Sequence, residues 1–271
     1  MSNGIASTTA RRESGGLPTA MVGGFATVRL TRAELAALMV QDCLRAREHP
    51  ESTAPKLAFS SNGQGIALAG RDTKFADAMS AADIIDADGM PIVVASRFSG
   101  SPLPERIATT DFFHDAASVA AEHGLRFFLL GATEEQNSAA VVAMEKRYPS
   151  LKIVGRHHGY FGNDDEGICK LIRESRADVV WVGLGKPLEE YWCLRNRERL
   201  TGVGWIKTCG GLYSFLAGDA SRAPKWMQRL SLEWLHRVIS EPRRLAWRYI
   251  ATNPYALYRL IRYTKRSPHE P

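Results

Sequence analysis

The stretch RFFLLGATEEQNSAAVVAMEKRYPSLKIVG, residues 126–155, decides the fold class. It opens with an apolar run, continues with a helical pattern over Glu134–Arg147, and ends with a second apolar run at Lys152–Gly155. Thr133 and Gln136 have the spacing of a capping box, which marks the start of the helix. A strand, a helix and a second strand in this order form a crossover unit whose two strands lie parallel.

The same alternation extends in both directions along the chain. Further strands are predicted at Phe25–Leu30, Leu57–Ser61, Asp83–Ile85, Ile92–Ala95, Val179–Val182 and Trp205–Thr208. Further helices are predicted at Thr31–Arg47, Thr73–Ala82, Asp111–His123, Asp165–Arg176 and Leu188–Leu200. The pattern predicts an α/β fold with a Rossmann-like, mostly parallel sheet flanked by helices on both faces.

Composition and charge divide the chain of 271 residues into three parts. Residues 1–20 are rich in Ser, Thr and Gly and lack an apolar segment, which predicts a disordered leader. Residues 21–218 hold the α/β pattern. Residues 219–266 carry eleven Lys or Arg against three acids, a net charge of +8 in a chain of +6, so the rest sums to about −2. We predict that this last part is a basic helical appendage suited to a partner with phosphates.

Aromatic side chains are concentrated in the same appendage. Trp226, Leu230 and Trp234 recur at helical spacing, which predicts an amphipathic helix. Tryptophan and tyrosine favour the boundary between water and lipid, so Trp247–Arg266 is predicted to lie on an anionic membrane surface. The alternative is that these residues pack on the α/β domain. No apolar run approaches the length of about 18 residues that a spanning helix needs.

The residue types that bind metals show no metal-binding spacing. Four cysteines without a C-x-x-C pair argue against a zinc site or a disulfide framework and fit a reducing cytoplasm. His157 and His158 are adjacent on a predicted strand, so their side chains are expected on opposite faces rather than around one ion. We predict no metal and no cofactor.

Ligands of such sheets bind at the carboxyl ends of the strands. Three predicted loops at these ends are chemically unusual: Asp86–Met90, Gly183–Glu190 and Cys209–Gly211. Asp88, at the end of an apolar run, is placed to take a proton from a hydroxyl group. The alternative is an Asp-Gly turn in which Asp88 bonds to its own backbone.

The second loop has the sequence GLGKP at residues 183–187. It runs from an apolar strand into a helix with Pro187 near the first helical position. Free backbone amides at a helix start suit a phosphate, whereas the simpler interpretation is a tight turn between strand and helix. The chain contains neither G-x-G-x-x-G nor G-x-x-x-x-G-K-[ST], which argues against a dinucleotide or P-loop enzyme.

An ordered series of motifs from Val22 to Ile261 resembles the WecG/TagA/CpsF family of bacterial glycosyltransferases. The motifs are D-G at 88–89, E-R at 105–106, F-L-L-G at 128–131, Y-P-x-L-x-I-V-G at 148–155, H-G-Y-F at 158–161, A-D-V-V-x-V-G-L-G at 177–185, G-G at 210–211, L-A-G at 216–218, R-A-P-x-W at 222–226, E-W-L at 233–235 and E-P-R-R-L at 241–245. Each motif is weak alone, but the ordered series is specific. The appendage looks closest to exopolysaccharide members of the family that are similar to the glucosyltransferase GumM.

The resemblance implies an inverting, metal-independent transfer of a hexose or N-acetylhexosamine from a UDP-sugar to a polyprenyl-diphosphate-linked sugar. The catalytic aspartate of the family falls on Asp88, its pocket residues fall on Asn62 and Arg106, and Ser60 stands where a threonine is common. The predicted substrate-binding set also contains Gly131, Gly183, Gly185, Pro187, Glu189, Glu190, Gly210, Gly211, Arg222, Arg237 and Arg243. The implied location is the cytoplasm, peripheral at the inner membrane face, with a homo-oligomer possible and no nucleic acid bound.

Two positions depart from the family pattern. Glu189 replaces the usual glutamine, and Ser214 stands where an aspartate is often found. Because glutamate accepts where glutamine also donates, Glu189 is predicted to alter the choice of donor sugar. Two other classes stay open at this point: an NAD-dependent Rossmann oxidoreductase, and a basic nucleic-acid-binding module.

Overall fold

The computed structural model describes residues 16–224, 227, 233–240 and 242–265 of the chain. Its strands are β1 (Thr19–Val22), β2 (Phe25–Val28), β3 (Lys56–Ser61), β4 (Ile84–Ala87), β5 (Arg126–Gly131), β6 (Lys152–His157), β7 (Val179–Gly183) and β8 (Trp205–Thr208). Strands β3 to β8 form one six-stranded sheet in the order β4-β3-β8-β7-β5-β6, with every neighbouring pair parallel. β1 and β2 form a separate antiparallel hairpin. The predicted parallel sheet is confirmed.

Helices cover both faces of the sheet. They are α1 (Arg32–Glu48), α2 (Gly63–Ala69), α3 (Thr73–Ser80), α4 (Met90–Ser96), α5 (Thr109–His123), α6 (Glu134–Arg147), α7 (Asp165–Ser175), α8 (Leu188–Asn196), α9 (Leu212–Leu216), α10 (Glu233–Ser240) and α11 (Pro242–Tyr263). Successive strand residues enter opposite cores: Val180 lies in one apolar cluster, and its neighbours Val179 and Trp181 lie in the other. Strands buried on both faces are expected to be continuously apolar, and the central strand β7 has such a sequence.

Most predicted element bounds are confirmed to within a few residues. The capping box at Thr31 is formed with Glu34, and Thr133 accepts a hydrogen bond from the amide of Gln136 at the start of α6. The predicted helix Glu134–Arg147 has the bounds of α6. These signals are local, so the sequence carries them fully.

The structure differs from the predictions at three places. The run Ile92–Ala95, predicted as a strand, lies in α4, because Pro91 in the first turn begins a helix and a short apolar run fits either structure. The helix α2, which begins directly after Asn62 at the end of β3, was not predicted. Thr19 and Ala20, assigned to the leader, belong to β1, while residues 1–15 lie outside the described part of the chain.

The last helix packs on the α/β body with one face. Ala256 and Leu260 of α11 are buried, and the Tyr255 hydroxyl donates to the Gly70 backbone oxygen at 3.0 Å. The main partner of α11 is α2, with smaller contacts to α4 and β1. This face of α11 therefore follows the alternative prediction, in which the appendage packs on the α/β domain.

The opposite face of α11 is apolar and open. Trp247 and Ile261 are each 75% exposed, and Ile250 and Leu257 between them are also exposed. Their spacing places these four side chains on one helical face. No helix among the described residues is both long and apolar enough to cross a bilayer. Trp226 and Leu230, part of the predicted amphipathic segment, lie outside the described residues.

Candidate active site

Asp88 lies immediately after β4, at the carboxyl edge of the sheet. Its amide donates to the Ser61 backbone oxygen at 2.9 Å, which holds the loop beside β3. Its Oδ1 accepts from the amide of Thr109, the first residue of α5, at 3.2 Å. A helix start stabilises a carboxylate, and 24% of the Asp88 side chain stays exposed. The carboxylate is therefore held by a neighbouring helix start and keeps part of its surface open, as a general base would need.

Arg106 lies between Asp88 and the appendage. Its Nε donates to the Asp88 backbone oxygen at 2.6 Å, and its Nη2 lies 3.8 Å from Asp88 Oδ1. Its Nη1 donates to Glu233 Oε2 of α10 at 2.7 Å. Arg106 therefore sits at the predicted site, with its charge shared between the base and a carboxylate of the appendage.

Asn62 and Lys186 lie beside each other across the carboxyl edge. Asn62 Oδ1 accepts from the Gly65 amide at 3.0 Å, which begins α2. A Cβ placed on Gly65 would lie 3.7 Å from Lys186 Cε, and one on Gly89 would lie 3.7 Å from the Asn62 Cα. The loops after β3, β4 and β7 therefore meet at one place, as predicted for the site.

Ser60, predicted to bind substrate, is buried and turned into the core. Its Oγ accepts from Lys207 Nζ at 2.6 Å and lies 3.1 Å from Thr109 Oγ1. The hydroxyl is held by Lys207 and Thr109, which argues against a direct contact with substrate. The reason is its position in the sheet: Ser60 of β3 lies opposite Asp86 of β4, and both side chains are buried.

In the glycine loop after β7, the amide of Gly185 is bonded to a side chain of the protein itself. Glu189 Oε2 accepts from the amides of Gly185 and Gly210, at 3.1 and 3.0 Å. Glu189 is buried, so it joins the loops after β7 and β8 instead of facing a donor sugar. Burial, followed by the charge of Glu190, raises the pKa of Glu189 to about 7.

Lys186 lies at the centre of the same loop. Its Nζ donates to Glu190 Oε1 and lies 3.9 Å from Glu189 Oε1. Glu190 is fully buried and Lys186 nearly so, which makes Glu190 a partner of Lys186 rather than an exposed substrate ligand. Pro187 is the residue before α8 and follows a cis peptide bond.

The predicted glycines have different local roles. A Cβ on Gly131 would lie 2.3 Å from the Gly183 oxygen, and one on Gly183 would lie 2.8 Å from the Gly210 oxygen. Glycine at 131 and 183 therefore lets three strand ends approach closely. Gly211 is exposed and has no atom within 4 Å of its Cβ position, so it is open to a ligand.

Of the three appendage arginines predicted to bind substrate, the structure describes the side chain of Arg222. Arg222 Nη1 donates to Asp111 Oδ1, and its Nε lies 3.6 Å from Glu233 Oε1. Glu233 therefore bridges Arg222 and Arg106. The side chains of Arg237 and Arg243 lie outside the described part of the structure.

Four residues of this arrangement were not predicted: Thr109, Lys186, Lys207 and Glu233. Lys207 carried a usable signal, because a lone charge inside the apolar strand Trp205–Thr208 is rarely accommodated without a partner. Glu233 begins the E-W-L motif of the family, but its contact with Arg106, like that of Thr109 with Asp88, depends on which elements pack together.

The histidine pair has a different geometry from the one predicted. The rings of His157 and His158 lie 4.4 Å apart. His158 follows the end of β6, so the two side chains no longer point to opposite faces of the strand. His157 Nδ1 lies 2.8 Å from the His158 backbone oxygen, and His158 Nδ1 accepts from the Tyr160 amide. In the part of the chain that the structure describes, no group of three or more metal-ligating side chains is arranged around a common point.

The sequence profile of the family described as "Glycosyl transferase WecG/TagA/CpsF family" matches residues 23–270. The chain belongs to this family. It is a glycosyltransferase, so the oxidoreductase and nucleic-acid-binding alternatives are set aside.

Two similar proteins carry the name N-acetylglucosaminyldiphosphoundecaprenol N-acetyl-beta-D-mannosaminyltransferase. The one from Bacillus subtilis (strain 168) is 33% identical over 204 residues, covering 75% of each chain. The one from Staphylococcus aureus (strain MW2) is 28% identical over 212 residues, covering 78% of this chain and 82% of its own. Their names describe a glycosyl transfer to a sugar carried on a polyprenyl diphosphate.

Proposed function

We propose that this glycosyltransferase moves a sugar from a UDP-sugar to a polyprenyl-diphosphate-linked sugar with inversion at the anomeric carbon. The observation that carries the proposal is Asp88, held by the start of α5 and by Arg106 while part of its carboxylate stays open. Inversion in one step needs a base on the face opposite the leaving group, and Asp88 is the partly open carboxylate at this edge.

In the proposed reaction, Asp88 takes the proton of the acceptor hydroxyl as that oxygen attacks the anomeric carbon. The bond to UDP breaks on the opposite face, and the electron pair leaves with the diphosphate. Base catalysis of this kind contributes about 10²–10⁴ in rate, or about 3–5 kcal/mol of barrier. The charge on the leaving diphosphate requires nearby cations, and Arg106, Arg222 and Lys186 are the described candidates.

We propose that the donor is a UDP-N-acetylhexosamine, and that the preferred donor is UDP-N-acetylmannosamine. The proposed acceptor is N-acetylglucosamine linked to diphosphoundecaprenol. The support is the name shared by the two relatives. Transfer of glucose in exopolysaccharide synthesis, which the appendage suggested, is the competing assignment.

We further propose that α11 docks the enzyme on the inner face of the cytoplasmic membrane. Its exposed apolar face bears Trp247, Ile250, Leu257 and Ile261, and Arg259 and Arg262 lie on the same helix. Apolar side chains beside basic ones suit an anionic lipid surface. Of the tyrosines in the same segment, Tyr255 is bonded to the body, whereas Tyr258 and Tyr263 are exposed.

Incubation with a panel of UDP-sugars and a synthetic lipid-diphosphate N-acetylglucosamine tests the reaction. We expect a product heavier by one N-acetylhexosamine, whose new bond has the inverted anomeric configuration by NMR. A product heavier by a hexose would select the exopolysaccharide assignment. No product with any donor would contradict the proposed function.

Co-sedimentation with anionic vesicles tests the docking. Truncation before Trp247 would also remove the buried face of α11, so the sharper variant is Trp247→Ser with Ile261→Ser. The matched control is Val142→Ser, which removes an exposed apolar side chain of α6. We expect the double variant alone to lose pelleting at low salt. Unchanged pelleting would contradict docking, and a drop in molecular mass in solution would assign the face to a second copy of the chain.

A further inference from the structure

A fully buried ion pair connects β4 with β8, and its acid lies two residues before Asp88 in the chain. Lys207 Nζ donates to Asp86 Oδ2 at 2.7 Å, and both side chains have 0% exposure. Lys207 is on β8 and Asp86 on β4, so the lysine reaches across β3 to its partner. Neither residue was part of the predicted substrate-binding set, and the reaction proposed above does not use them.

Stability does not explain this pair. Two buried charges lose more hydration than their attraction restores unless every polar atom is satisfied. Among the described residues, Asp86 Oδ1 has no hydrogen-bond partner. A pair of apolar side chains of similar size would serve the core at least as well.

A chain of hydrogen bonds connects the pair to the base. Lys207 Nζ donates to Ser60 Oγ at 2.6 Å, and Ser60 Oγ lies 3.1 Å from Thr109 Oγ1. The amide of the same Thr109 donates to Asp88 Oδ1 at 3.2 Å. The third N–H of the Lys207 ammonium donates to the Thr208 backbone oxygen at 3.3 Å, so all three donors fix the position of this group.

We propose that Lys207 is a positioning residue of the transfer reaction: through Ser60 and Thr109 it fixes the direction of the Asp88 carboxylate. The inference rests on the proposed function of Asp88. Lys207 also neutralises Asp86, which lies two positions before the base. A reacting group displaced by about 1 Å loses on the order of 10²-fold in rate, so a rigid support beneath the base is a catalytic requirement.

The electrostatics of the two aspartates agree with this role. Burial raises the pKa of Asp86, Lys207 opposes that rise, and the charge of Asp88 adds to it. Arg106 and Lys186 face Asp88 from the other side of the loop. Without Lys207, burial of Asp86 is no longer opposed, so the loop that carries Asp88 loses a fixed charge partner.

Three variants test the inference: Lys207→Met, the double variant Asp86→Leu with Lys207→Met, and Ser60→Ala. Lys207→Met leaves the buried Asp86 carboxylate without its partner, so we expect a lower Tm and a lower kcat. The double variant removes both charges, so we expect a wild-type Tm and UDP affinity but a kcat lower by about 10²-fold. For Ser60→Ala, which keeps the ion pair, we expect a lower kcat with an unchanged KM for the donor.

Each readout can overturn the inference. If the double variant regains wild-type kcat together with wild-type Tm, Lys207 only neutralises Asp86. If Ser60→Ala raises KM and leaves kcat unchanged, Ser60 binds substrate and the connection to Asp88 is wrong. Should the double variant not fold, Ser60→Ala decides alone. Wild-type enzyme is measured beside them, because inactivity of the wild type with every donor would contradict the proposed function instead.

Discussion

Two loops at the same edge of the sheet carry acidic residues and use them in opposite ways. At the end of β4, Asp86 within the strand is buried, while Asp88 just after it stays partly open. After β7, both Glu189 and Glu190 are buried around Lys186. Element order alone does not distinguish these four carboxylates, because each lies at or shortly after the end of a strand. The comparison teaches that packing, and not position at the edge, selects which carboxylate is available for chemistry.

The largest expected effect is on the open carboxylate. Asp88→Asn keeps the shape of the side chain and removes its basicity, so transfer should fall at least a hundredfold. The measurement is single-turnover transfer together with Tm and UDP binding, both of which should stay near wild type. More than about a tenth of wild-type turnover would show that Asp88 is not the base.

The next effect concerns the centre of the other loop. Lys186→Met leaves Glu190 buried without its partner, which should cost about 3–5 kcal/mol of stability by chemical denaturation. The matched control, Lys186→Met with Glu190→Gln, removes the unpaired charge and should recover most of that loss. Equal stabilities for the single and double variants would mean that the pair is not buried as described.

Glu189→Gln should have a smaller effect that depends on pH. The folded-state pKa of about 7 lies above the ordinary value of 4.5, so the stability that Glu189 contributes is complete below pH 4.5 and lost as pH rises to about 7. The variant lacks this titration, so its Tm should fall less than that of wild type over the same range. Parallel Tm curves would contradict the assignment.

The same variant tests whether Glu189 selects the donor. Because its Oε2 accepts from the amides of Gly185 and Gly210, the substitution should shift kcat/KM for all UDP-sugars by a common factor. A change in the ratio between donors would restore Glu189 as a specificity residue and would place its carboxylate in the sugar pocket.

The smallest expected effect is that of chelation. Asp86 is paired with Lys207, so Asp86 and Asp88 do not form an open pair of metal ligands. Transfer should therefore be unchanged by EDTA. Loss of turnover that Mg²⁺ or Mn²⁺ restores would show that the loop after β4 binds a metal.

What the sequence predicts well is local. Strand and helix bounds such as those of α6 follow from periodicity and capping, and the position of Asp88 at a strand end follows from element order. The family resemblance added the assignment of Asp88 as a base. These signals need only neighbouring residues or a fixed motif order.

What the sequence does not predict is the choice of partners across the sheet. Lys207 meets Asp86 only because β3 lies between β8 and β4, and this order is not written in any local pattern. Glu189 turns inward because two loops converge on it. Ile92–Ala95 formed a helix because a short apolar run fits both structures and Pro91 decided between them.

The hairpin at the start of the described chain is completed by its last helix. The Gly24 amide donates to the Tyr263 oxygen at 3.1 Å, and the Lys265 amide donates to the Met21 oxygen at 3.2 Å. Gly23 bonds to the Thr264 hydroxyl across 241 positions of sequence. Contacts of such separation form late, because a long loop must close first.

During synthesis, therefore, β1 and β2 leave the ribosome long before the helix that covers them. The parallel sheet can assemble in the interval, while the apolar surface that α11 later covers stays uncovered and prone to aggregation. Pulse-labelling hydrogen exchange should find the amides of β3 and β7 protected before those of the hairpin. We therefore expect the contact between the hairpin and the end of α11 to form in the last step of folding. A chain that stops before α11 would lack this contact and would not complete the fold.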